Sequence, residues 1–179
     1  SYVIQTFYFK GEISLGNFKM VIMVIFVFLM LTSCGNKDQS GVLKPVLIES
    51  QKSLPHSFEQ IATESNGGQY IVERVGSIED LKERWDKFQI ESELIDIDME
   101  TNDVLFIGLY ESSTCPYNIQ NIDTDYNRNK LIIKLFVEDE NCTADASPRN
   151  FILSIDKDKS KGLTTLVMVD GAKEISLHI

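Results

Sequence analysis

Residues Val104 to Tyr110, VLFIGLY, form an unbroken apolar run between Asp103 and Glu111. Side chains alternate across a strand, so a continuous run of this length reads as a central strand buried on both faces. A helix is legible just upstream. Ser77 can serve as N-cap, and Glu79 and Asp80 place acids in the first turn. Ile78, Leu81, Trp85 and Phe88 follow at steps of 3, 4 and 3, which puts them on one face, with Lys82, Glu83, Asp86 and Lys87 opposite. Trp85, the one tryptophan of the chain, sits mid-stripe and reads as a core anchor.

Around these two elements the pattern is that of strands. Candidates are Tyr70–Val75, Tyr117–Thr124, Lys130–Val137, Phe151–Ile155, Leu163–Val169 and Ile175–Ile179. Leu131, Ile133, Leu135 and Val137 alternate with residues that include Lys134, and Asp170-Gly171 is a hairpin signal. The expected fold is α+β: a mainly antiparallel sheet or sandwich of about six or seven strands with one amphipathic helix packed on it.

The chain also carries a twelve-residue apolar run, Met20 to Leu31, preceded by Lys19 and followed by Thr32-Ser33-Cys34. It is short for a bilayer span, which takes about 20 residues, and fits the apolar region of a secretory signal. Leu31-Thr32-Ser33-Cys34 resembles the lipobox of bacterial lipoproteins, whose cysteine is lipidated and becomes the mature N-terminus. The resemblance implies that residues 1–33 are removed and that Cys34 anchors the chain to a membrane of the cell envelope, facing outside the cytoplasm. Two or more acyl chains give stable anchoring. Residues 34–68, rich in Ser, Gln, Asn, Lys and Glu and without a sustained period, read as a flexible tether in which Val42–Ile48 and Phe58–Ile61 could make brief contacts, and residues 69–179 as a single globular domain.

Export sets the reading of Cys115 and Cys142, because a disulfide is the default in an oxidising compartment. A thiolate nucleophile needs a nearby histidine or cationic site, and the only histidines are His56 and His178. A two-residue hairpin loop at Arg128-Asn129 would set Cys115 opposite Cys142, Asp123 opposite Lys134 and Ile122 opposite Leu135. The closed loop of some 28 residues would contribute about 3–3.5 kcal/mol in the chain-entropy model.

Charge narrows the function classes. Without Lys10, Glu12 and Lys19 of the first segment, 15 basic and 26 acidic residues remain, a net charge of −11. That argues against nucleic-acid binding and against a polybasic grip on anionic lipid. Asp123-Thr124-Asp125-Tyr126-Asn127 has the spacing of a calcium loop, but Arg128 replaces the glycine and Lys134 the closing acid, so no metal is expected. Asp96 and Asp98, or Asp123 and Asp125, are the candidate carboxylates of an envelope hydrolase, which requires one of them desolvated. A small-ligand carrier would need a cavity between sheet and helix. No catalytic motif, zinc-type His/Cys cluster or phosphate-binding glycine loop is present, and no cofactor is expected.

The order of features carries a second resemblance. Ile78-x-x-Leu81-x-x-x-Trp85 leads to Ile95-Asp96-Ile97-Asp98, the buried strand Val104–Tyr110, Tyr117-Asn118-Ile119, a hairpin, Ala146-Ser147-Pro148-Arg149 and the strand Phe151–Ile155. This looks like the C-terminal domain of the PrcB-like proteins, the protease-complex-stabilising subunit family, over about residues 69–156 or beyond. Its glycine-rich loop after the central strand is here Ser112-Ser113-Thr114-Cys115-Pro116. The resemblance implies no catalytic residues and a non-catalytic association with a secreted or surface protein such as a protease. Ser113, Thr114, Pro116, Tyr117, Pro148 and Arg149 are the expected partner-contact residues, with an exposed apolar or aromatic patch nearby.

Overall fold

The apolar run becomes the centre of the molecule. In chain order the elements are β1 (Val46–Glu49), α1 (Phe58–Glu64), β2 (Tyr70–Val75), α2 (Ile78–Lys87), β3 (Asn102–Glu111), β4 (Asn118–Asp125), β5 (Lys130–Phe136), β6 (Ser147–Asp156), β7 (Thr165–Asp170) and β8 (Lys173–His178). The structure, a computed structural model, describes residues 43–64 and 68–179. The strands form two four-stranded sheets, ordered β1-β6-β3-β2 and β4-β5-β7-β8. The expected α+β, sheet-dominated class holds, with eight strands and two helices among the described residues.

β3 lies inside the first sheet, and its alternate side chains feed two cores. Leu105, Ile107 and Leu109 join Phe151, Leu153 and Ile155 of β6 against Leu131, Ile133, Leu166, Met168 and Leu177 of the second sheet. Val104 and Phe106 face the other way, onto Leu81, Trp85 and Phe88 of the α2 stripe and Leu54, Phe58 and Ala62. The order is thus helices, sheet, sheet. Ser77 caps α2, its hydroxyl accepting from the Asp80 amide at 3.1 Å. Trp85 packs edge-on to Phe106 and donates its indole N–H to the Ser92 carbonyl at 2.9 Å. Leu81, Trp85, Phe88 and Phe106 of this layer are buried to 4% exposure or less.

The segment expected to be a tether is folded over its described part. β1 pairs antiparallel with β6, and Leu43, Leu54, Phe58 and Ala62 are buried. Gly108 of β3 permits this approach, since an added Cβ would lie 2.7 Å from Leu54 Cδ2. Asn150 of β6, fully buried, donates from its side chain to the Ser53 carbonyl and hydroxyl and accepts the Gln51 amide. The polar residues that suggested a solvated linker therefore satisfy buried backbone, and the domain begins well before residue 69. Four-residue β1 and seven-residue α1 are too short to display a period.

Two other expectations change. The β4–β5 turn has four residues, Tyr126 to Asn129, between the paired Asp125 and Lys130. The Asp125 carboxylate accepts the Asn127 and Arg128 amides, and Asn129 takes a left-handed φ of 54°. Asp123 consequently faces Ile132 and Ile122 faces Ile133, not Lys134 and Leu135. The second sheet is also mixed, because β5 and β7 pair in parallel. β6 intervenes in the other sheet, so no hairpin joins them; the Thr164 and Thr165 amides fasten the start of β7 to the Asn129 carbonyl.

Candidate interaction site

Cys115 and Cys142 are disulfide-bonded, with their Cα atoms 5.4 Å apart. They do not oppose each other in a ladder, as β4 begins at Asn118 and β5 ends at Phe136. The bond instead joins two loops, 112–117 and 137–146. Around it lies a network of hydroxyls. Thr143 Oγ1 is 3.1 Å from Ser112 Oγ and 3.2 Å from Thr114 Oγ1, and the Thr143 amide donates to Thr114 Oγ1 at 2.9 Å. Asp145 accepts from the Thr143 hydroxyl and from the Ser113 amide. These bonds, the Thr143 hydroxyl first, hold the Asp145 carboxyl down at about 2.

The expected contact residues separate into two groups. Ser113, Thr114 and Pro116 are exposed on the pinned loop, and Tyr117 is half-buried beside it. Pro148 and Arg149 are not on a loop: both lie in β6, opposite Tyr110 and Leu109. Pro148 lines a second open, polar pocket with Leu54, Pro55 and Gln89. Arg149 is committed to a buried ion pair. Its guanidinium is 2.7 Å from Glu111 Oε1, with side-chain exposures of 14% and 0%. Glu111 also accepts the Tyr117 amide at 2.8 Å, so the pair ties the start of the pinned loop to the central sheet. Cys34 lies outside the described residues.

Beside the pinned loops is an open groove of about 510 Å³ between the end of β5 and the β7–β8 turn. Its apolar wall is Leu135, Phe136, Val137 and Val169, with Asp170 and Gly171 at the turn. Phe136 and Val137 are adjacent in the chain and 38% and 37% exposed. Tyr117 donates to Asp170 Oδ2 at 2.6 Å; burial first, then this bond, pushes its hydroxyl well above the ordinary range. The strand pattern contained part of this signal. It counted Val137 with the inward residues, but β5 ends one residue earlier and leaves Val137 outside, while Phe136 points outward from a strand. A second exposed apolar pair, Val46 and Leu47, lies on the edge strand β1.

The carboxylate candidates do not have the environment that acid–base chemistry needs. Asp96 and Asp98 are exposed, and Asp98 is held below its ordinary range by the Thr101 hydroxyl and the Glu100 amide. Asp123 accepts from the Asn121 side chain, and Asp125 is spent on its turn. Among the described residues no cluster of His, Cys, Asp or Glu could hold a metal, and no helix is long and apolar enough to cross a membrane. No protein-family model, curated protein or solved structure matches the chain.

Proposed function

We propose that this chain is a lipid-anchored module of the cell envelope that binds another protein and stabilises its complex without catalysing a reaction. One observation carries the reading: an apolar groove with half-exposed Phe136 and Val137 stands against two loops fixed by a disulfide. Exposed apolar side chains next to a rigid polar rim are the composition of a protein-binding patch. A rigid loop also loses little entropy on binding. The lipobox resemblance supports the anchor and the location. The resemblance to the protease-complex-stabilising subunits supplies the partner class, a secreted or surface protein such as a protease.

The reading is tested with a photoreactive side chain at Val137 of the full chain in its own cells. It should crosslink to a discrete partner, whereas the same group at Lys82, on the exposed face of α2, should not. Equal, diffuse labelling from both positions, or none from Val137, would reject it.

A further inference from the structure

The chain enters the domain at one end and carries its disulfide at the other. Leu43 is buried between the sheets, and its amide donates to the Tyr126 hydroxyl at 3.2 Å. Tyr126 opens the β4–β5 turn, and β5 runs from that turn to Phe136, beside the disulfide loops. Its seven residues at strand rise set the two ends about 20 Å apart. β1 starts at the entry end too, with Val46 opposite Ser154 near the close of β6. Val46, Leu47 and Tyr126, at 61%, 47% and 46%, are the most exposed large apolar side chains among the described residues. Leu47 is the register partner of Leu153, a residue of the core between the sheets, so it projects toward the second sheet, from which Tyr126 arrives. Val46 projects to the other face, but both lie on an edge strand, and a flat surface laid against an edge touches the side chains of both faces. The charge is uneven between the ends. Exposed Lys44 and Arg128 lie two residues from Val46 and Tyr126. The acids of this end stand among bases: Asp125 with Arg128, Asp156 with Lys159, and Asp158 between Lys157 and Lys159 in the chain. Residues 137–146 hold Glu138, Asp139, Glu140 and Asp145, all exposed, and no base.

Resting on the reading of the chain as lipid-anchored, we infer that the entry end docks on the headgroup layer of the membrane that holds Cys34, and that the disulfide end faces away from it. Leu43 is the ninth residue after Cys34, which limits the span between them to about 32 Å. Tyrosine, apolar in body and polar at its tip, suits the headgroup level, and Val46 and Leu47 add apolar area there. In that layer the edge backbone of β1 keeps its water. The acidic chain has no polybasic grip; Lys44 and Arg128 favour an anionic surface only at this end, while the acids of 137–146 are repelled by it.

The test uses the full chain as its own cells make it, in nanodiscs of phosphatidylcholine and phosphatidylglycerol in equal parts, with a gadolinium-chelating lipid as the probe and NMR as the readout. Amides of Lys44, Val46, Leu47, Tyr126 and Arg128 should broaden severalfold more than those of Glu138 to Asp145. Val46→Ser with Leu47→Ser, and separately Lys44→Glu with Arg128→Glu, should each reduce that difference severalfold while the amides of β6 and α2 keep their positions. Even broadening at both ends, stronger broadening at the disulfide end, or an unchanged pattern in both folded variants would overturn the inference when mass spectrometry shows acyl chains on Cys34. Partner crosslinks from Val137 in cells beside such an even pattern would overturn it and leave the binding function standing. An unmodified Cys34 on a chain that does not float with the nanodiscs would reject the anchor and the inference together. An unmodified chain that still broadens at the entry end would support the docking surface and reject the anchor.

Discussion

On the helix-covered face of the central sheet, Leu81, Trp85, Phe88 and Phe106 are buried to 4% exposure or less and interlock as rings and branches. At the disulfide end, residues 137–146 are all exposed, and their positions are fixed by one covalent bond, three hydroxyl side chains and a carboxylate. The first region is held by loss of water-exposed apolar area, which leaves nothing to offer a partner. The second is held by directional and covalent links, which keep the chain ordered while its side chains face solvent. Stability and presentation are thus assigned to different parts of one small domain.

Substitutions can break this contrast. The largest effect is expected for Trp85→Ala, which removes the ring against Phe106 and should cost about 3–5 kcal/mol in denaturant unfolding. Replacing Cys115 and Cys142 together by serine should cost about 3 kcal/mol from chain entropy. Its signature differs, because amide exchange should rise in 112–117 and 137–146 while α2 stays protected. A uniform rise across both regions would show that the two are not separate. Asn150→Ala leaves Gln51 and Ser53 without their buried partner and should cost about 1–3 kcal/mol, detaching residues 50–53 first.

The smallest effect concerns pH. The Asp145 carboxyl lies at about 2 in the folded chain against an ordinary 3.8. A depressed value means the charged form is favoured by folding, so its hold on Thr143 and Ser113 is complete above the ordinary carboxylate range. The hold fades as pH falls below about 4 and is lost through about 2. The side-chain carbon shift of Asp145 should titrate near 2; a midpoint near 4 would show that the network does not form.

The fold was legible wherever a period ran long enough. β3, the α2 stripe and the Asp170-Gly171 hairpin follow directly from Val104–Tyr110, from Ile78, Leu81, Trp85 and Phe88, and from a left-handed glycine with φ of 55°. Residues 43–64 were legible only as two short contact-making stretches, Val42–Ile48 and Phe58–Ile61, because the polar side chains between them serve buried backbone and composition alone does not distinguish that from solvation. The disulfide was legible from the lipobox resemblance, which implies export, and from the cysteine count. The register offered for it was not correct, since Asp125 builds a four-residue turn and a bulge between Ile119 and Asn121 shifts β4 again. Of the site, the loop Ser113–Tyr117 was visible. The groove depends on where β5 stops, and strand ends leave little trace in sequence.

The central claim is that the disulfide-held end, and not the packed core, meets the partner. Its most direct test is the crosslinking yield from a photoreactive group at Val137 in the Cys115→Ser/Cys142→Ser variant, measured in cells beside the unaltered chain. The account predicts that the variant stays folded, with α2 protected, and that the yield falls severalfold. An unchanged yield from a folded variant would contradict it.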